Sequence, residues 1–192
     1  MTSQGDPDAE LLAGYARGEA AAARELSARL SPLVYRLALR LLQDSAAAED
    51  VTQEAMLRLW RVAPEWRMGE ARVSTWLYAV ALNLCRDRLR QGRRREASSL
   101  DETGEPADPA PGIAERMQAQ SRSEALHAAL STLPERQREA VTLRHIEELS
   151  NPEIAAIMGL TVEAVESLVA RGKRGLANAL SGRREELGYE DV

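Results

Sequence analysis

The chain has 192 residues, which is enough for one large domain or two small ones. Aromatic residues make up 4%, Phe is absent, and Ala, Leu, Arg and Glu dominate, a set of helix formers that points to an all-α protein. A net charge of −5 argues against a uniformly basic nucleic-acid binder, and the single cysteine, Cys85, excludes an intramolecular disulfide framework.

No opening stretch joins a positive end to an apolar run, and no segment reaches the length of a membrane span, so a cytoplasmic protein without membrane insertion is expected. His127 and His145 are the only histidines, and neither belongs to a His–carboxylate pattern. With no Gly-rich phosphate loop either, the expectation is no catalytic residue, no metal, no cofactor and no small-molecule substrate. Cys85, set among Leu82, Leu84 and Leu89, reads as a packing residue. The charge is unevenly placed. Arg86, Arg88, Arg90, Arg93, Arg94 and Arg95 form one basic patch, and Arg171, Lys173, Arg174, Arg183 and Arg184 form another. Two local basic patches on an acidic chain predict two separate contacts with a polyanion and acid reserved for something else.

In chain order, residues 8–17 predict a short helix with Leu11, Leu12 and Tyr15 inward, broken at Gly18. Residues 19–43 predict a second helix with an apolar stripe from Leu26 to Leu42, kinked or split at Pro32. Asp44 or Ser45 caps a third, which ends before Pro64. Its inward stripe is Ala48, Val51, Ala55, Leu59 and Val62. On the opposite face Asp50, Gln53, Glu54, Leu57, Trp60 and Arg61 project together. Two apolar side chains rimmed by charge fit a protein–protein contact, or else lie under another helix of the same domain.

Residues 64–73 form a loop that carries Trp66 and Arg67 immediately ahead of the arginine-rich helix, residues 74–95, for which Ser74 is the expected cap. Leu77, Val80, Ala81 and Leu84 give that helix an apolar face. At about 100° per residue, Trp76, Asn83, Asp87 and Arg90 align on a second stripe. Stacking, amide, carboxylate and guanidinium groups in a row suit nucleic acid, against the alternative of a solvated face.

Periodicity fails over residues 96–121, where prolines, glycines and acids predict a flexible acidic linker. It separates an N-terminal domain, 1–95, from a C-terminal domain, 122–184, with a tail over 185–192. After the linker, Leu126, Leu130 and Leu133 share one helix side, and Pro134 opens the next helix. Ser150 and Glu153 predict a capping box, Gly159 a left-handed turn residue, and Thr161 the cap of a long last helix. A short helix, a Gly turn and a longer helix make a helix-turn-helix pattern. The last helix turns Glu163, Glu166, Ser167, Ala170, Arg171, Lys173 and Arg174 outward.

Together these segments resemble the bacterial sigma factors of the extracytoplasmic-function (ECF) group, over nearly the whole chain up to about Arg184. AEDVTQEAMLRLW is similar to that family's core-polymerase-binding helix and STWLYAVALNLCRDRLRQGRR to its minus-ten promoter helix. LPERQREAVTLRHIEELSNPEIAAIMGLTVEAVESLVARGKR is similar to its minus-thirty-five domain. The resemblance implies a non-enzymatic specificity subunit whose partners are core RNA polymerase (β′ clamp helices and β subunit), promoter DNA and an anti-sigma factor. It implies that Asp50, Gln53, Glu54, Leu57 and Trp60 dock on the clamp helices. Trp76, Tyr78, Asn83, Arg86, Asp87 and Arg90 would meet the minus-ten element, and the 64–73 loop would hold a flipped base. Thr161, Ser167, Arg171, Lys173 and Arg174 would meet the minus-thirty-five element. Glu166 and Leu168 stand where many relatives are basic, and Asn151-Pro152 departs from the usual acidic or aromatic pair, which implies a different preferred upstream sequence. The competing expectation is an autonomous helix-turn-helix regulator with an N-terminal sensor or dimerisation domain.

Overall fold

The computed structural model describes residues 6–69, 71–98 and 125–181, with side chains of the fourth helix described up to Arg94. These residues form helices and turns, with no strand among them: α1 (Pro7–Ala16), α2 (Ala20–Leu42), α3 (Ser45–Val62), a 3-10 turn (Ala63–Glu65), α4 (Val73–Ser98), α5 (125–131), α6 (Glu135–His145), α7 (Asn151–Met158) and α8 (Val162–Ser181). The fold is all-α, in an N-terminal module, α1–α4, and a C-terminal helix-turn-helix module, α5–α8. Helix α4 runs three residues beyond the expected boundary at residue 95. The expected linker from residue 99 and the tail over 185–192 lie outside the described residues.

Local chemistry accounts for the helix ends. Asp44 takes the Ala47 N–H at 2.9 Å and starts α3. Ser150 and Glu153 form the reciprocal capping box ahead of α7, Gly159 ends that helix at φ 65°, and Thr161 Oγ1 accepts from Ala164 N at 3.2 Å to open α8. Helix α2 neither splits nor stops at Pro32, whose exposed ring sits within a continuous helix. The start of α4 departs from expectation. The helix begins at Val73, so Ser74 is not its cap, and the orphan Val73 N–H donates to Asp6 Oδ2 at 2.7 Å. Asp6 Oδ1 meanwhile accepts from Asp8 N at 3.1 Å and caps α1, so one carboxylate serves two helix starts.

Helices α1 to α4 bury Leu12, Leu26, Leu30, Val34, Leu37, Val51, Leu59, Leu77 and Leu82, each worth about 1.5–3 kcal/mol of transfer free energy when removed from water. The same apolar cluster continues into the C-terminal module through Leu143, Ile154, Ile157, Met158 and Val165, because α4 packs against α7 as well as against α2 and α3. Hence α4 buries Tyr78, Leu82 and Cys85 in addition to Leu77 and Ala81, while Val80 and Leu84 are only half-buried. Cys85 is sealed in this core. Burial, and then the charge of Glu139, push its thiol up to about 12, as for a packing residue.

Inside the C-terminal module α8 lies on α6 at Gly172, where an added Cβ would overlap Val141 and come within 3.1 Å of the Gln137 carbonyl oxygen. Gly172→Ala gains about 1 kcal/mol of helix propensity. It loses about 1–3 kcal/mol to overpacking against a backbone that cannot give way. We expect a net loss of stability, read as a fall of a few degrees in the thermal midpoint. Gly92→Ala, with nothing within 4 Å, should raise the midpoint.

Candidate functional site

Two surfaces of the N-terminal module stand out. On α3, Asp50, Gln53 and Leu57 are exposed and Glu54 is half-buried, a spacing that brings all four to one helix face. Leu57 keeps 48% of its surface in water and, with Met68, is one of two large apolar side chains exposed among the described residues. Trp60 behaves differently. Its ring lies 4.4 Å from that of Tyr15 on α1, tilted by 44°, so the module itself covers part of it. Of the two expectations for this apolar pair, Leu57 follows the exposed one and Trp60 partly the covered one. The acids are held loosely: Glu54 pairs with Arg58 at 2.9 Å and Asp50 with Arg88 of α4 at 3.1 Å. Ion pairs this exposed stabilise by about 0–1 kcal/mol, so a partner can take over either carboxylate cheaply.

At the head of α4 is a pocket of about 230 Å³, lined by Val62, Glu65, Trp66, Arg67, Ala71 and Trp76. Trp66, from the loop after α3, and Trp76, from the first turns of α4, meet edge to face with centroids 5.8 Å apart and planes at 86°. The Trp66 indole Nε1 is buried with no hydrogen-bond partner among the described residues. A pocket smaller than the ~300–1,000 Å³ of drug-sized sites, with two aromatic side chains in its lining, is scaled for a single flat heterocycle. Trp66, Glu65 and Arg67 complete this pocket. The sequence places Trp66 in the loop but carries no signal that it meets Trp76.

Further along α4, Asn83, Asp87 and Arg90 are exposed, as the stripe predicts. Asn83 Oδ1 accepts from Arg86 at 3.1 Å, and Asp87 pairs with Arg90. Tyr78 and Arg86 do not share that exposure. Tyr78 is buried and donates to Glu147 Oε2 at 2.7 Å; burial and that bond push its phenol well above the ordinary value, keeping it a donor. Arg86 holds both oxygens of Glu139 at 2.7 Å, a bond that raises its guanidinium further. In this arrangement both face the C-terminal module instead of solvent, because α6 and α7 cover that side of α4.

In the C-terminal module Thr161, Ser167, Arg171, Lys173 and Arg174 are all exposed along α8. Arg171 Nε donates to the Ser167 carbonyl at 3.2 Å, folding back on its own helix. Glu163 and Glu166 stand exposed at the acidic front of the helix. Among the described residues no helix is long and apolar enough to cross a membrane.

Comparison with known proteins accounts for both modules. Residues 26–95 match the family model described as Sigma-70 region 2, and residues 123–176 match that of Sigma-70, region 4. The ECF RNA polymerase sigma factor SigM of Mycobacterium tuberculosis is 34% identical over 173 residues, spanning 90% of this chain and 84% of the relative. Among solved structures, CnrH in complex with the cytosolic domain of CnrY superposes with a TM-score of 0.67 at 25% identity, covering 91% of this chain and 97% of that one. The sigma factor RpoE from Bartonella quintana, solved with the anti-sigma factor NepR, shares the fold at a TM-score of 0.67 and 23% identity, over 82% of this chain and 96% of that one.

Proposed function

The chain belongs to the ECF group of RNA polymerase sigma factors, and from that membership we propose how its residues divide the work of promoter-specific initiation. The α3 face built from Asp50, Gln53, Glu54 and Leu57, with the free edge of Trp60, docks on the clamp helices of the core enzyme. An exposed leucine ringed by acids suits a groove with basic rims. The head of α4 captures a base. Trp66 and Trp76 wall a space for one heterocycle, and unstacking a base costs a few kcal/mol that stacking at about 1–3 kcal/mol per base helps to offset. Asn83, Asp87 and Arg90 then follow the separated strand, joined by Tyr78 and Arg86 once these are released. Helix α8 meets the upstream duplex through Thr161, Ser167, Arg171, Lys173 and Arg174.

The observation that carries this reading is the two-tryptophan pocket at the head of an arginine-rich helix, one helix away from an exposed, acid-rimmed leucine. An anti-sigma factor that covers the α3 face would silence the protein; the Bartonella sigma factor is itself solved in complex with an anti-sigma factor. The place of work would be the cytoplasm. An autonomous helix-turn-helix regulator is not favoured, since SigM, which aligns over 90% of this chain, is a sigma factor. Run-off transcription with core polymerase and a promoter library tests the proposal: the added protein should give transcripts from one promoter class. Transcripts unchanged from core enzyme alone would refute it.

A further inference from the structure

The outward row of α8 runs Glu163, Glu166, Ala170 and Lys173, at the spacings of three and four that bring side chains to one side of a helix, and all four are exposed. Val165 and Gly172, buried in the module, fix the inward side. The two acids of the row are held differently. Glu163 turns back on the start of its helix, where its own backbone N–H and the Thr161 hydroxyl hold its carboxyl below the usual carboxylate range. Glu166 has no hydrogen bond or ion pair among the described residues. Ala170, one turn on, offers it no partner, and Lys173 lies two turns away, about 10 Å along the axis.

A bare carboxylate is costly on a helix that meets DNA, because against phosphates it weakens binding at every sequence. Only a base that offers hydrogens can offset that cost. In the major groove cytosine offers its N4 amino group and adenine its N6 group, but adenine sets the N7 acceptor beside it, where a carboxylate oxygen is repelled. We infer that Glu166 reads a cytosine: its carboxylate accepts from the N4 amino group of one base of the minus-thirty-five element, and the charge that repels DNA at large becomes the contact that selects one C·G pair. The inference deepens the promoter reading and rests on it for one point, that α8 enters the upstream duplex.

Position along the helix agrees with this. Residues near the N-terminus of the second helix of a helix-turn-helix reach base edges, and Glu166 is the fifth residue of α8, which starts at Val162. Arg171, Lys173 and Arg174, exposed in the following turns, are the groups fit to neutralise phosphates, so the acid stands ahead of the cations where the helix goes deepest. Guanine shows the groove only acceptors, and thymine an acceptor and a methyl group, so neither gives a carboxylate anything to accept.

The test is selection from a promoter library with a randomised upstream element, using core polymerase and the full chain as parent, Glu166→Gln, Glu166→Ala or Glu163→Gln. With the parent, one upstream base pair should favour cytosine on one strand about tenfold over the next base. Glutamine, which pairs with adenine through N6 and N7, should move that single position to adenine and leave its neighbours unchanged. Alanine should flatten the position, and Glu163→Gln should keep the cytosine. Glutamate and glutamine are equally good helix formers, so helix content by circular dichroism should not change. The same base profile for the parent and the Glu166→Gln variant overturns the inference. A rise in yield at every sequence with no change of preference does so too, since it marks Glu166 as a repelling charge only, and so does a cytosine preference lost with Glu163→Gln instead. A second selection, with the full chain alone on random duplex at low salt, separates this inference from the promoter reading. Cytosine selected there through Glu166, beside a failed run-off assay, keeps the base contact and removes the promoter reading; promoter-specific transcripts with no preference that depends on Glu166 do the reverse. No preferred base pair in either selection overturns the inference.

Discussion

Replacing Trp76 with alanine should lower open-complex formation about tenfold to a hundredfold, while the protein still co-purifies with core polymerase. The magnitude follows from the pocket at the head of α4. Trp76 is half-buried and forms one of two aromatic walls, with Trp66 set edge-on at 5.8 Å. Removing the ring deletes a stacking surface worth about 1–3 kcal/mol per base and leaves the captured base against a gap. Permanganate reactivity of the melted thymines measures the loss directly. Trp76→Phe keeps a flat apolar face and should recover much of the opening, whereas a purely structural role would track the thermal midpoint instead. Normal opening in the alanine variant would remove base capture from this pocket.

The second large effect belongs to α3. Leu57→Asp should reduce co-purification with core polymerase roughly thirtyfold or more, the ~2 kcal/mol or above expected when a central apolar anchor is lost. Because Leu57 is 48% exposed and outside the apolar cluster, the substitution should change folding stability by no more than about 0.5 kcal/mol. That separation of effects is the diagnostic. Trp60→Ala would be a poorer probe, since the ring also packs on Tyr15 and its loss would loosen α1. An undiminished yield of polymerase with the Leu57 variant would move the docking face off α3.

Much of this was legible in the sequence, because caps and periodicity are local. Asp44, the Ser150–Glu153 box, Gly159 and Thr161 each act within one helical turn of their own position, and all four stand where the sequence placed them. The exposure of Asn83, Asp87 and Arg90 follows from helical spacing in the same way. What the sequence did not show depends on residues far apart in the chain. Nothing near Val73 signals that its N–H will find Asp6, and nothing in the pattern of α6 marks Glu139 as buried. That acid lies inward paired with Arg86, from the other module, and with Arg136 of its own helix. Tyr78 and Arg86, which only the resemblance to sigma factors places on a strand, are covered here because α4 packs against elements of both modules, a contact that the pattern of a single helix does not show. The acid that composition assigned to a separate purpose meets, in part, the chain's own arginines.

The carboxylate of Asp6 bears on how the protein can be cut or tagged. A fragment trimmed to the matched stretch 26–95 would lack Asp6, Tyr15 and the whole of α1, and so would lose the acceptor that fixes the first peptide of α4 and the ring that backs Trp60. Such a fragment would retain Trp66, Trp76 and Asn83 yet hold the entrance to the two-tryptophan pocket less firmly, so an affinity handle is better attached at the other terminus.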